Sequence, residues 1–445
     1  MPERCISIRG GRLIDPGNAV DSRTDLHLAD GRVLAIGAAP AGFAPKRVID
    51  ATGLVVCPGL IDLCARLREP GLEHKATIAS ESAAAAAAGI TTLCCPPDTD
   101  PIIDTPAVAQ LIRRTAQIRG LARVLPAGAL TKGLAGEQIS EMAALKQAGC
   151  PVVSNADRPI RNARVLRRAL EYAATFGLTS LLHPADADLS EGGLVHEGLV
   201  STRLGLPGIP EAAETVAVAR NLALAEQTEA RIHFRGLSTA RATAMLAEAR
   251  ARGVQVSADV SAHQLILCEH DLADFRANAH VSPPLRTAAD RAALRAAVAS
   301  GEITAICSDH QPHEPDAKLD PFPQTQPGIS ALETLLSLVL SLVDDGVLGL
   351  PAALACLTSH PAEILGRGLP ATAERMPDCS LGHLHVGAIA DCCLFDPAAR
   401  WQVSPARLRS RGHNTPFLGA ELTGQVRYTL LAGRIVFEAD PEHHR

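Results

Sequence analysis

Three side chains able to do chemistry stand at alternate positions within residues 60–71: Cys64, Arg66 and Arg68. Strand side chains repeat with a period of two, so on an extended segment all three share one face. Further along, polar groups follow short apolar runs at Asp98, Asn155, His183, Arg235-Gly236 and His263, and again in the cluster Asp309, His310 and His313. Imidazole and carboxylate groups gathered in this way suit a divalent metal and the hydroxide that it makes available near neutral pH. A guanidinium suits the opposite task, because it cannot ligate a cation and instead grips carboxylates. The set therefore mixes metal-ligand types with groups that exclude a metal.

The elements that must gather these residues read as strands alternating with helices. Strands are expected over 60–65, 91–95, 123–127, 151–154, 180–183, 231–234, 254–260 and 303–308. Helices are expected near 73–88, 105–118, 138–148, 163–176, 211–226, 239–251 and 287–298. Eight strands alternating with helices is the pattern of a (β/α)8 TIM barrel, whereas an open doubly wound sheet commonly carries fewer. No Gly-x-Gly-x-x-Gly follows a strand, which removes the main cue for a dinucleotide fold. In a barrel the polar strand ends meet on one face, and the long connections 262–285 and 311–327 leave that same face as active-site loops. Short β-like runs with turns at Gly10-Gly11, Pro16-Gly17 and Asp30-Gly31 fill the first part of the chain, and a similar texture returns at the end. Lone small sheets are rarely stable, so residues 1–57 and 380–445 are expected to form one discontinuous β-sandwich domain, with the barrel over 58–379.

Seven segments in order carry a resemblance: Pro58-Gly59-Leu60-Ile61-Asp62, Leu67-Arg68-Glu69-Pro70-Gly71, Pro97-Asp98-Thr99, Gly205-Leu206-Pro207-Gly208-Ile209-Pro210, Ser282-Pro283-Pro284-Leu285-Arg286, Ser308-Asp309-His310-Gln311-Pro312-His313 and Asn414-Thr415-Pro416-Phe417. With these the sequence resembles dihydroorotase of the amidohydrolase superfamily over nearly its whole length. The resemblance implies an α/β fold, a barrel with a β-sandwich made from both termini, and hydrolysis or closure of a cyclic amide by zinc-bound hydroxide. It also implies a ligand set: a His-x-His pair on the first strand, a bridging carboxylate on the fourth, a His on each of the fifth and sixth, and an Asp on the eighth that doubles as proton acceptor.

The positions that match this set depart from it. The His-x-His pair is replaced by Cys64 and Arg66, the fourth strand reads Ser154-Asn155-Ala156-Asp157 with Asn155 or Ala156 where the carboxylate belongs, and the sixth-strand His falls on Gly236. Only His183 and Asp309 keep a ligand type. On the substrate side, Arg68 matches the carboxylate-binding Arg of the family and His313 another substrate contact, while Asp98 and Ser282 stand where Asn is usual. Arg66 is expected to take the space and charge of the lost metal and to form a fork-like pair with Asp309, and Arg68 to pair with Asp98. The resemblance then implies a catalytically inactive dihydroorotase-like protein with no metal or other cofactor, acting as a non-catalytic assembly subunit with aspartate carbamoyltransferase in a homo-oligomer or hetero-oligomer. The alternative is an active cyclic-amide hydrolase, converting dihydroorotate to N-carbamoyl-aspartate with zinc in a reduced site.

Composition bounds the remaining classes. With 47% apolar and 20% charged residues the chain can bury a large core. A formal charge of −6, with Lys and Arg scattered through helices, gives no basic stripe for nucleic acid or an anionic membrane. The apolar run 335–343 is too short to span a bilayer and reads as a buried helix. The start, Met1-Pro2-Glu3-Arg4-Cys5, lacks a leader pattern, and the Cys residues include no C-x-x-C pair and sit in apolar strands. Both point to a cytoplasmic, reduced protein.

Overall fold

The computed structural model describes residues 5–366 and 381–440. Residues 1–4, on which the leader argument leans, and the domain boundary at 379–380 lie outside the described residues.

Among the described residues eight parallel strands form the barrel: Leu60–Asp62, Ile90–Cys95, Arg123–Pro126 continued by Gly128–Ala129, Val152–Ser154, Thr179–Leu182, Ile232–Phe234, Val256–Ser261 and Ala305–Cys307. The third strand changes partner part-way: Arg123–Pro126 pairs with the second strand and Gly128–Ala129 with the fourth. Closure comes at the mouth. Ala65 bridges His310 in parallel, the Arg66 N–H donates to the His310 carbonyl at 2.9 Å, and the His310 N–H donates to the Cys64 carbonyl at 3.1 Å. The backbone that completes the cylinder is thus the backbone that carries the first-strand and eighth-strand site residues.

Local chemistry sets the helix starts. Thr77 accepts from the Ser80 N–H at 3.1 Å and starts the helix Ile78–Ala87, and Thr239 and Thr287 start Ala240–Ala251 and Ala288–Ser300 in the same way. The first of these helices begins five residues later than the sequence pattern suggests. Gly71, at φ +99°, turns the chain against the backbone of Asp100, where a Cβ would lie 2.2 Å from a carbonyl oxygen, so residues 71–76 are spent on that close approach. The helix Met142–Gln147 is also shorter than expected, because Ser140 gives its N–H to the Leu130 carbonyl and its hydroxyl to the Ala129 carbonyl. The apolar run near 335 is a buried helix, Leu335–Asp344, and among the described residues no helix is long and apolar enough to cross a membrane.

The second unit draws on both ends of the chain. One sheet runs, edge to edge, Arg434–Glu438, Glu421–Leu431, Cys392–Gln402, Val55–Pro58, Arg12–Asp15 and Val20–Arg23. The other holds Arg32–Ile36, Leu26–Ala29, Ile6–Arg9 and Arg47–Asp50. Ile8, Leu13, Leu28, Val56, Leu394 and Leu430 are buried in one cluster with Ile6 and Ile49, so neither terminus has a core without the other.

A buried carboxylate ties the two ends to the barrel. Glu81 accepts from His310 Nε2 at 2.7 Å, from the Ser410 hydroxyl at 2.7 Å, from the Ser80 hydroxyl at 2.8 Å and from the Arg411 N–H at 3.2 Å. The other ring nitrogen of His310 accepts from the Ala331 N–H at 3.0 Å, so Nε2 carries the proton that Glu81 receives. Glu81→Ala leaves buried donors of three segments without an acceptor and is expected to lower the unfolding free energy by roughly 3 kcal/mol. Urea denaturation reads this as a lower midpoint at an unchanged slope.

Candidate functional site

Arg66 is the centre of the mouth. Its side chain is 4% exposed and points inward, with Nε 2.7 Å from Asp98 Oδ2, Nη2 2.5 Å from Asp157 Oδ2 and Nη1 3.3 Å from Asp309 Oδ1. Asp157 also takes Arg235, a buried side chain from the end of the sixth strand. Asp309 receives the Cys64 thiol at 3.2 Å and Gln311 Nε2 at 3.2 Å. Two guanidinium groups and three carboxylates therefore form one chain, Asp98–Arg66–Asp157–Arg235, with Asp309 and Cys64 closing it from the eighth and first strands. Beneath it, buried Asp62 accepts from the Cys64 N–H at 3.3 Å and the Ser308 N–H at 2.9 Å, and burial raises its carboxyl to about 6.

Several expected contacts are not made. The fork between Arg66 and Asp309 is a single contact, and the shorter pairs go to Asp98 and Asp157. Arg68 does not reach Asp98, because Arg66 occupies that carboxylate. Arg68 Nε instead donates to the Pro312 carbonyl at 3.1 Å and its Nη2 lies 3.3 Å from His313 Nε2. Its backbone is left-handed, at φ +64°, as is that of Asp309 at φ +47°, conformations that cost on the order of 1 kcal/mol each and are held by the surrounding bonds.

The fourth strand differs from its sequence reading. Asn155 points away from the mouth: its Oδ1 accepts from Thr131 Oγ1 at 2.7 Å, and its Nδ2 donates to the carbonyls of Arg158 at 2.8 Å and Leu134 at 3.3 Å. The strand does supply a carboxylate, from Asp157. Ala156 takes φ +52°, and this left-handed residue breaks the alternation by which residue 155 reads as inward. Arg235 and Gln311 are the other contributors that pattern reasoning left without a role. For Arg235 the available signal was its place at a strand end, one residue before Gly236. That glycine, at φ +68°, gives its N–H to Asp259 Oδ1 at 2.7 Å, and an added Cβ would meet nothing nearer than Pro283 at 3.7 Å.

His183 and Ser282 lie on the wall of a 320 Å³ cavity beside this chain, together with Asp157, Arg161 and Arg286. His313 is buried. Its N–H donates to Asn414 Oδ1 at 2.8 Å, its Nδ1 lies 3.1 Å from Lys75 Nζ, and its Nε2 lies 2.9 Å from the Pro327 carbonyl. The Asn-Thr-Pro-Phe segment thus braces a site residue from the far end of the sequence.

Burial opposes the charge of Arg66, and the carboxylates of Asp157 and Asp98 overcome it, holding the guanidinium above its ordinary value. Burial likewise works against ionised Asp157, yet Arg66 and Arg235 hold its carboxyl well below the usual range. Burial pushes the Cys64 thiol well up, so it stays protonated and donates to Asp309. Burial and the neighbouring Arg66 bring Arg68 down to about 10, and burial brings His313 down to about 3. Among the described residues no three His, Cys, Asp or Glu side chains converge as metal ligands do, and Asp98, Asp157 and Asp309 at the mouth are paired with guanidinium groups.

Asp157→Asn removes the one carboxylate that contacts Arg235 among the described residues and is expected to cost roughly 3 kcal/mol, the penalty for stranding a buried charge. A carboxyl depressed in the folded state adds stability above its unfolded value of about 4 and loses it as pH falls below that. Wild type and Asp157→Asn should therefore differ by a constant amount from pH 5 to 7 and converge below about pH 4, as read by chemical denaturation across that range.

Residues 53–241 match the family model described as Dihydro-orotase-like. The chain is 53% identical over 430 residues to the "Dihydroorotase-like protein" of Pseudomonas putida, covering 97% of this chain and 98% of that one. It is 43% identical over 432 residues to the "Dihydroorotase" of Citrifermentans bemidjiense, covering 97% and 99%. In structure it superposes on the L-hydantoinase (dihydropyrimidinase) of Arthrobacter aurescens with a TM-score of 0.84, at 23% identity and over 97% and 96% of the two chains, a likeness of fold. The barrel, the sandwich assembled from both termini and the near full-length identity converge on one conclusion: the chain belongs to the dihydroorotase-like family of amidohydrolases.

Proposed function

We propose that this chain is a dihydroorotase-like protein that no longer hydrolyses a cyclic amide and serves as a non-catalytic assembly subunit beside aspartate carbamoyltransferase. The observation that carries the first half is Arg66, bonded to three carboxylates where the family places a metal-binding imidazole. A fixed guanidinium repels a divalent ion and takes up the acidic groups that would hold one. Cys64 as a buried thiol and Gly236 without a side chain leave His183 and Asp309 as an incomplete set. The partner is supported by the resemblance of the whole chain to dihydroorotase-like subunits, with the fold retained while the ligand positions changed. On this reading the protein binds no zinc or other cofactor and assembles as a homo-oligomer or hetero-oligomer in the cytoplasm.

A second reading, an active hydrolase with a reduced zinc site, is favoured by the relatives at about two-fifths identity that carry the name dihydroorotase. The purified chain separates the two. We expect substoichiometric zinc by elemental analysis, no turnover of dihydroorotate, and co-purification with the catalytic chain of aspartate carbamoyltransferase, whose assembly fails when this protein is deleted. Stoichiometric zinc with turnover would sink the first reading in favour of the second. Installing Cys64→His, Arg66→His, Asn155→Asp and Gly236→His together is expected to give little activity, since Asp98 and Ser282 also depart from the family and residue 155 faces the Thr131 loop.

A further inference from the structure

A cavity of 240 Å³ opens where the helices Ile78–Ala87 and Leu335–Asp344 meet the sandwich strands Glu421–Leu431 and Arg434–Glu438. It shares no lining residue with the cavity at the barrel mouth. Trp401, Arg407 and Gln425 continue from it into a second, more polar hollow on the sandwich surface. Ligand sites favour such joints between structural units.

The groups inside differ in what they leave free. Glu333 already accepts from the Arg409 N–H at 2.8 Å and the Ser410 N–H at 3.0 Å. The Arg409 guanidinium lies 5.1 Å over the ring of Phe437 and covers it. Trp401 gives its Nε1–H to Ser337 Oγ at 3.1 Å, which fixes the indole and leaves its face as an apolar wall. Asp440 is exposed at the rim. Arg407 is half-buried, and its guanidinium makes no hydrogen bond or ion pair with any described residue. A guanidinium on a half-buried side chain, with no counter-ion among the described residues and beside an anchored indole, is matched by a flat ring bearing an anion: the ring lies on the indole and the anion takes the guanidinium fork.

We propose that this cavity is a binding site for a small planar ring carrying an anionic group, carboxylate or phosphate, with the ring on Trp401 and the anion on Arg407. Its volume lies just below the range of pockets that take drug-sized ligands, about 300 Å³ and upward, and so suits one ring with its substituent. The proposal is independent of what happens at the barrel mouth.

Trp401 is the only tryptophan in the sequence, so intrinsic tryptophan fluorescence of the full chain reports on this cavity alone. Titration with benzoate and with phenyl phosphate should give a saturable change, and the tighter of the two identifies the anionic group. Toluene and inorganic phosphate, the ring and the anion taken separately, should give none in the same concentration range. Arg407→Ala should weaken the response by about tenfold or more, the loss of a charge-assisted fork, at an unchanged thermal midpoint. The proposal is overturned if neither ring-bearing anion gives a saturable change, if Arg407→Ala responds like wild type, or if inorganic phosphate alone reproduces the effect. A change in Trp401 emission with protein concentration alone would also overturn it, because a second copy would then fill the hollow.

Discussion

The mouth of this barrel depends on one buried cation, the Arg66 guanidinium, held among three carboxylates. Arg66 brings a planar charge on a covalent stem and spreads it over Asp98, Asp157 and Asp309. Breaking such a buried set by removing one member costs several kcal/mol, whereas forming it adds little net stability over apolar packing. The set is best understood as fixing one arrangement. Asp157 is committed to Arg66 and Arg235, and Asp309 to Arg66, Cys64 and Gln311, which leaves no carboxylate of the mouth uncommitted among the described residues.

The surrounding scaffold meets the demands of this charge chain. Asp62 holds the turns of the first and eighth strands from below, and Glu81 fixes His310, the residue next to Asp309, from the outer side. Asn414 reaches in from the sandwich end of the sequence to hold His313. The brace of the mouth is therefore distributed over the barrel, its first helix and the C-terminal segment. None of these bracing bonds uses the side chain of Cys64, Arg66 or Gly236, so the brace does not depend on which residues stand at those positions.

Much of this architecture was legible in the sequence because it rests on periodicity. Strand and helix alternation placed all eight barrel strands, and the strand-end rule brought Cys64, Arg66, Asp309 and His313 to one face. What could not be read depends on single backbone torsions and on competition between neighbours. The left-handed Ala156 exchanges Asn155 for Asp157 as the inward group, and no alternation rule anticipates it. The sequence pairs Asp98 with Arg68, but Arg66 takes that carboxylate and Arg68 donates to the Pro312 carbonyl. Arg235 was visible as a strand-end residue, but its role became apparent only with Asp157 in place.

The closure of the barrel through Ala65 and His310 also bears on how the chain folds. Cys64 and Asp309, whose side chains meet across that seam, are 245 residues apart in sequence. Contacts of such separation carry the largest loop-closure entropy and form once the intervening strands have shortened the effective loop. The Arg66–Asp309 contact crosses that same seam, so drying this pair requires the seam to be closed. Inward-pointing charges on strand edges oppose pairing with another chain, and a row of hydrophobic replacements at the same positions would remove that protection.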